Sequence, residues 1–149
     1  MNIWSRLPET RLIAPGFPLH FAWETAQLPL YTLWRESEWS YILYSLLHCT
    51  LGDMLILLAC YEAVALLSRN RHWLGGTLLW KGPVFTILGV SYTVYSEINN
   101  VYLEKTWAYT EMMPLVPVMG VGLAPLLQWV ILPPLMLWLL RRMSGAGKA

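Results

Sequence analysis

Charged residues are scarce in this sequence, which excludes most classes of soluble protein. Lys, Arg, Asp and Glu make up 13% of its 149 residues, about half of the roughly 25% that is usual in soluble domains. Hydrophobic residues make up 56%, so the composition favours an integral membrane protein. The formal net charge of +1 offers no basic surface for DNA or RNA, and we expect no nucleic-acid partner.

Histidine and cysteine are too few for most metal and cofactor chemistry. Three histidines do not suffice for a histidine-rich di-iron centre. His20 and His48 differ in depth by roughly 9 Å on the expected helices, which disfavours a bis-histidine haem. Cys49 and Cys60 lie roughly 16 Å apart along one helix, too far to form a disulfide with each other. CxxC, HExxH and GxxxxGKS/T motifs do not occur, so we expect no metal and no cofactor.

Four long apolar segments predict the fold. They cover residues 16–34, 41–67, 73–97 and 114–140, and each is long enough to cross a bilayer, which needs about 20 apolar residues. No internal repeat or linker divides the chain, so residues 1–149 are expected to form one domain. The predicted fold is all-α, a polytopic membrane four-helix bundle.

Positive charges predict how this bundle is oriented. Arginine and lysine dominate both ends and the connection between the second and third spans: Arg6, Arg11, Arg69, Arg71, Arg141, Arg142 and Lys148. The other two connections hold mixed charges: Arg35, Glu36, Glu38, Glu104, Lys105 and Glu111. Because cytoplasmic loops carry an excess of Lys and Arg, both termini are expected to face the cytoplasm. We expect a multi-pass integral protein of a bacterial inner membrane.

Two carboxylates inside the apolar segments mark the candidate site. Glu24 lies in the first span and Asp53 in the second. A charged side chain in the bilayer core costs about 2.5–3.5 kcal/mol or more, and such residues usually face a partner or a cavity. The two acids are therefore candidates for a functional site. The alternative is that each is a neutral, hydrogen-bonded carboxyl that holds helices together.

Helical spacing places further polar residues beside Glu24. Four of them recur at helical intervals and would share one face of the first helix: His20, Glu24, Gln27 and Tyr31. From a rise of about 1.5 Å per residue, Glu24, Asp53 and Gln128 should lie at a common depth. We therefore predict that His20, Glu24, Asp53 and Gln128 line one buried polar pocket.

A second polar stripe is expected on the third span: Thr86, Thr93, Glu97 and Asn100. Gly89 beside it allows another helix to approach closely. By the same depth argument, Gln27 and His48 share a level above Glu24. Glu97 is expected near the outer mouth of the bundle.

Prolines interrupt the fourth span: Pro114, Pro117, Pro125, Pro133 and Pro134. Proline removes a backbone donor, and a membrane helix tolerates this only where other groups satisfy the freed carbonyl. The prolines predict either a kinked, packed helix or a break that shapes a cavity beside Gln128 and Trp129. Both interpretations stay open.

Short motifs in all four spans resemble EXPERA-type four-helix membrane proteins, a group that includes the sterol isomerase emopamil-binding protein. They are HFAWE and ETAQLPLY in the first span, WRESEWSYIL before and into the second, ILGVSYTVYSE in the third and LLQWVILP in the fourth. The chain departs from the isomerase at two points. The position of the isomerase's second-helix Glu falls at Gly52, next to Asp53. Its Asn and Trp, which lie three residues apart, are represented by the adjacent Gln128 and Trp129.

The resemblance implies a protein that binds a sterol-like or isoprenoid membrane lipid and isomerises a double bond. By similarity, His20, Glu24 and Asp53 carry the acid–base chemistry. One carboxylic acid protonates the double bond, and the other, with His20, removes a proton from a neighbouring carbon. The ligand-binding residues would be Trp23, Gln27, Tyr31, His48, Glu97, Gln128 and Trp129. Among these, Trp23, Trp129 or Tyr31 would stabilise the carbocation.

Two other functions fit the same residues. A small proton-coupled transporter would use the acids as a relay beside a broken fourth helix, and it would need to form a homo-oligomer because four short helices enclose little volume. A non-catalytic accessory subunit of a larger membrane complex would use the acids only as contacts between helices.

Overall fold

The computed structural model describes residues 8–146, with side chains to residue 143. Five α-helices follow one another along this part of the chain: α1 (Pro8–Gln27), α2 (Leu33–Glu36), α3 (Trp39–Ser68), α4 (Lys81–Ile98) and α5 (Leu123–Ala146). A π-helical segment, Asn99–Leu103, follows α4 directly. Within residues 8–146 no strand forms, and the extended pairings are two isolated bridges, Tyr31 with Tyr109 and Leu115 with Gly122. The all-α prediction is confirmed.

Two of the helices are long and apolar enough to cross a membrane. They are α3, with 30 residues, and the Leu123–Met143 part of α5, with 21 residues, and both have a mean hydropathy of 1.8. That the chain crosses the membrane four times, with both termini in the cytoplasm, stays a prediction. Arg6 and Lys148, which contribute to its charge argument, lie outside the described residues.

α1 does not follow the predicted first span of 16–34. It ends at Gln27, and Leu28–Leu30 form a 3-10 turn. Pro29 favours this end because it has no N–H to continue the helical hydrogen bonds and its ring crowds the preceding turn. Tyr31 is therefore extended, with φ −110° and ψ 146°. The expectation that Tyr31 lies on the same helix face as Glu24 is wrong.

α4 begins at Lys81, well after the start of the predicted third span of 73–97. Trp73–Gly75 form a separate 3-10 turn that ends at Gly76. The two adjacent glycines explain the interruption, since glycine is a poor helix former. Trp73 is nevertheless fully buried, which explains why this segment is as apolar as the helix after it.

α5 begins at Leu123, so the predicted fourth span of 114–140 starts as a loop. Pro114 and Pro117 lie in that loop, whereas α5 continues through the Pro133–Pro134 pair as one helix. The break that the prolines suggest therefore precedes the helix and does not divide it.

The four long helices pack as a ring in which α1 and α4 each contact both α3 and α5. One half of this ring, called the packed half below, is filled by apolar side chains. Its fully buried members include Leu12, Leu57, Tyr61, Trp73, Phe85 and Met136. The ring of Trp73 stacks on Tyr61 with 5.5 Å between centroids and meets Phe85 edge-on at 5.6 Å. These contacts close this half of the bundle.

The other half of the ring, called the cavity half, contains Glu24, Asp53 and Glu97. The loop of residues 104–122 covers its end. The Thr32 N–H donates to the Ala108 carbonyl at 3.0 Å, and the Thr110 N–H donates to the Leu30 carbonyl at 2.9 Å. These bonds join the loop to the connection between α1 and α2.

Candidate functional site

His20, Asp53 and Gln128 meet where α1, α3 and α5 come together. His20 Nδ1 lies 3.0 Å from Asp53 Oδ2, and Gln128 Nε2 donates to the same oxygen at 2.8 Å. Gln128 Nε2 also lies 3.0 Å from His20 Nδ1. The three residues are at most 8% exposed, so these hydrogen bonds are shielded from solvent. The structure thus brings together three of the four residues that are predicted to share a pocket.

These hydrogen bonds distinguish the two ring nitrogens of His20. Nδ1 faces both Asp53 Oδ2 and the side-chain amide nitrogen of Gln128. Among the described residues, Nε2 has no hydrogen-bond partner. The ring also meets Trp129 edge-on, with 5.2 Å between centroids. His20 is therefore held in one orientation.

Glu24, the fourth residue of the predicted pocket, joins this network from the cavity. It is half-buried, and its carboxyl interacts with the carboxyl of Asp53 and with the side-chain amides of Gln27 and Gln128. Gln27 Nε2 donates to Gln128 Oε1 at 3.4 Å. Two carboxyls and two amides therefore form one connected polar network, with His20 behind it.

A cavity of about 470 Å³ lies in front of this network. Small-molecule sites typically measure about 300–1,000 Å³, so the volume suits a ligand of that size. Glu24, Asp53 and Gln128 contribute polar wall. Much of the remaining wall is apolar or aromatic: Leu28, Leu33, Tyr41, Tyr44, Leu46, Ile56, Tyr92, Trp107 and Trp129. The cavity therefore combines a hydrocarbon-like surface with adjacent carboxyls.

A third carboxyl, that of Glu97, belongs to the same cavity. Tyr109 Oη donates to Glu97 Oε2, and Tyr31 Oη donates to the same oxygen at 3.4 Å. Tyr109 Oη also accepts the Gly122 N–H at 3.0 Å. Burial, and then the hydrogen bond to Glu97, raises the pKa of Tyr109, so its phenol keeps its proton. Glu97 thus anchors the covering loop to α4.

Four other predicted ligand-binding residues line the cavity: Gln27, Tyr31, His48 and Trp129. His48 is exposed and stacks on Tyr44 with 5.7 Å between ring centroids. Since His48 both lines the cavity and reaches the surface, it lies at an opening beside α3. Tyr31 reaches the cavity from the connection after α1 and not from the helix itself.

Trp23 and His20 are the predicted site residues that do not line the cavity. Trp23 Nε1 donates to the Ala124 carbonyl at 3.2 Å, so this side chain links α1 to α5. Its position gives no support to the expectation that it stabilises a carbocation. His20 lies behind the cavity wall, where it contacts the lining residues Asp53, Gln128 and Trp129.

Several cavity residues were not predicted from the sequence: Tyr44, Cys49, Tyr92 and Trp107. The position of Cys49 could be predicted from the sequence, because Cys49 precedes Asp53 by four residues and so lies on the same face of the helix. Trp107 lies in the loop of residues 104–122, where no helical period applies. Its position depends on how that loop folds over the bundle.

Among the described residues, no group of three or more His, Cys, Asp and Glu side chains is placed to hold a metal ion. Comparison of the chain with family models, with curated proteins and with solved structures finds no match. The resemblance to EXPERA-type proteins therefore rests on the motifs quoted above.

Proposed function

We propose that this protein is a membrane enzyme that binds a sterol-like or isoprenoid lipid in the cavity and moves one of its double bonds. The observation that carries the proposal is the meeting of Glu24 and Asp53 on the wall of a cavity with many apolar and aromatic residues. Such a wall suits hydrocarbon, and neighbouring carboxyls donate and accept protons. The EXPERA-like motifs support the same function.

The proposed enzyme crosses the membrane four times, with both termini in the cytoplasm. The length and hydropathy of α3 and α5 support membrane insertion. The outer face of α3 supports it too, because leucines recur every four residues there and are 41–69% exposed: Leu43, Leu47, Leu51 and Leu55. Such a continuous apolar stripe is typical of a surface that lipid or another chain covers.

Glu24 is the proposed acid, and Asp53 with His20 is the proposed base. Asp53 Oδ2 accepts a hydrogen bond from Gln128 and lies 3.0 Å from His20 Nδ1, so this oxygen acts as an acceptor. Two ionised carboxyls side by side would repel each other, and such a pair shares a proton. Because Asp53 is the acceptor, the proposed reaction assigns this proton to Glu24.

Two proton transfers complete the proposed reaction. Glu24 gives its proton to one carbon of the double bond, which leaves a carbocation on the other carbon and a carboxylate on Glu24. Asp53 then takes a proton from the carbon next to the cation, and the electron pair of that C–H bond forms the new double bond. The proton returns from Asp53 to the adjacent Glu24. Substrate and product are isomers, so no atom is gained or lost.

Aromatic side chains suit the cationic intermediate of this reaction. Trp129 and Tyr31 line the same cavity as Glu24. A cation over an aromatic face is stabilised by about 0.5–2 kcal/mol, with the larger values in desolvated sites. We therefore assign the cation-stabilising role to Trp129 and Tyr31.

Isomerisation in heavy water tests the proposal. Purified protein in lipid nanodiscs is given unsaturated sterols and isoprenoids in D₂O, and the products are analysed by mass spectrometry and NMR. Because the proton that returns to Glu24 exchanges with solvent between turnovers, each product molecule should carry one deuterium at the carbon that was protonated. Glu24→Gln should abolish product and deuterium together, whereas Glu62→Gln, the same change outside the cavity, should not. If none of these lipids binds or reacts, the proposal is wrong.

A proton-coupled transporter is a second candidate. The neighbouring side chains of His20, Asp53 and Glu24 favour it, since imidazole and carboxyl groups can both accept and release a proton. This function predicts proton flux in liposomes that Glu24→Gln abolishes, without any change to the lipid.

An accessory subunit is the third candidate, favoured by the exposed leucines of α3 that a partner helix would cover equally well. In this case both acids act only as contacts between helices, which contribute about 0.6 kcal/mol on average. Glu24→Gln and Asp53→Asn would then behave as wild type in cells.

A further inference from the structure

An apolar groove of about 390 Å³ runs along the outside of the bundle between α3 and α4. Its lining residues carry no charge and include Ile56, Ala59, Cys60, Ala63, Leu88 and Tyr92. From Ile56 to Ala63 the groove follows α3 for roughly 10 Å at the usual helical rise. The small side chains of Ala59 and Ala63 leave room along its floor.

The groove adjoins the cavity. Ile56 and Tyr92 line both of them, one from each of the two helices, and Tyr92 is 46% exposed. A molecule that occupies both spaces would pass between these two side chains and then lie along α3. It has to bend there, because the cavity lies inside the ring of helices and the groove lies outside.

We infer that the groove holds the hydrocarbon tail of the ligand whose double bond lies in the cavity, so the substrate is a flexible, single-tailed isoprenoid lipid. This inference rests on the proposed function. The carboxyl-bearing cavity suits the reacting part of such a lipid, and the uncharged groove suits its tail. The fused rings of a sterol cannot bend between the two spaces, whereas an isoprenoid chain can bend at each of its units.

Single thiols distinguish the two spaces experimentally. A Cys60→Ala chain keeps Cys49, which lines the cavity. A second chain carries Ala59→Cys together with Cys49→Ala and Cys60→Ala, and its thiol lies in the groove. The control carries Ala26→Cys in the same cysteine-free background, at an exposed position of α1 outside both spaces. Each chain, in nanodiscs, reacts with a small apolar maleimide, with and without geraniol, the longer geranylgeraniol or cholesterol.

The longer isoprenol should protect both Cys49 and the thiol at position 59, and geraniol should protect only Cys49. At a lipid concentration about ten times the Kd, mass action predicts protection of about tenfold. The thiol at position 26 should react at an unchanged rate. Equal protection at positions 26 and 59 would show unspecific shielding and overturn the inference.

The remaining outcomes separate this inference from the proposed function. Protection of Cys49 by geranylgeraniol without protection at position 59 would refute the tail groove and leave the proposed function standing. Protection of Cys49 by cholesterol alone would refute the isoprenoid substrate. If none of the three lipids protects Cys49, the proposed function itself fails.

Discussion

The packed half and the cavity half of the bundle use the same four helices in opposite ways. In the packed half, Leu57 and Met136 are fully buried among other apolar side chains. In the cavity half, the same two helices bury Asp53 and Gln128, about one or two turns away. Each of these two helices therefore contributes to stability with one part of its length and to the candidate site with another.

Energetics explain this division. Tight apolar packing stabilises a structure, whereas a buried polar group contributes little unless its hydrogen bonds are complete. Within the described residues, the buried atoms without a hydrogen-bond partner include His20 Nε2 and Gln27 Oε1 in the cavity half and Glu9 Oε2 beside the packed half. The cavity half thus buries polar groups whose hydrogen bonds are incomplete. The apolar packing of the other half offsets the free energy that this burial costs.

The largest effect is expected on turnover, when a carboxyl of the cavity half is replaced by its amide. Glu24→Gln and Asp53→Asn should each lower turnover by about 10²–10⁴-fold, the usual contribution of a positioned acid or base. Each amide keeps the shape of the carboxyl, so the melting temperature should stay close to that of the wild type. Turnover and thermal unfolding are measured on the same preparation. Normal turnover in either variant would show that the carboxyls of the cavity half do not carry out the reaction.

The packed half should respond in the opposite way. Leu57→Ala should lower the free energy of unfolding by about 2–5 kcal/mol because it leaves a cavity in a closed core. Turnover per folded molecule should not change. Leu51→Ala, on the exposed face of the same helix at 56% exposure, is the matched control and should cost much less. Equal losses at both positions would contradict the division into two halves.

Glycine variants test the boundary between the halves. A Cβ added to Gly89 would lie 2.1 Å from Trp129 Cε3, so Gly89→Ala has to displace the indole that contacts His20. Such overpacking costs about 1–3 kcal/mol, and it should lower turnover as well.

Gly52→Ala is the control for Gly89→Ala, because a Cβ added to Gly52 would meet nothing within 4 Å. Alanine is the better helix former by about 1 kcal/mol, so thermal unfolding should show a neutral or slightly stabilised protein. An unchanged melting temperature for Gly89→Ala would mean that Trp129 does not pack as closely as the structure shows.

The smallest effect on stability is expected from an ion pair at the surface beside the packed half. Arg71 donates to Glu9, with Nε at 2.9 Å from Oε1. Burial acts to raise the pKa of Glu9, but its backbone hydrogen bond and Arg71 outweigh this, so the pKa lies below its ordinary value. A lowered folded-state pKa stabilises the protein above the unfolded-state pKa. This stabilisation is lost as the pH falls through the folded-state pKa.

Glu9→Gln should therefore lower the melting temperature slightly at neutral pH. The difference from wild type should vanish in strong acid and shrink in high salt, as for other exposed ion pairs. Glu62→Gln should have a smaller effect, since Glu62 lies 3.9 Å from Arg71. A difference that grows as the pH falls would contradict the assignment.

Spacing predicted the meeting of His20, Asp53 and Gln128 more accurately than it predicted the ends of the helices. The helical rise is nearly constant, so depth in a bundle follows from counting residues. Helix ends depend on single residues, and Pro29 and the Gly75–Gly76 pair end or interrupt segments that look uniformly apolar. The apolar composition of a segment alone did not distinguish a helix from a buried loop.

Composition and helical period determined that the chain is all-α and that two acids lie inside apolar helices, because polarity and period are local properties of a sequence. Tertiary structure alone decided which nitrogen of His20 faces Asp53, how Trp129 lies on α4, and how the loop of residues 104–122 closes the cavity. Each of these depends on the rotation and tilt of helices against one another. Contacts between residues that are distant in the chain set those angles, and no local pattern encodes them.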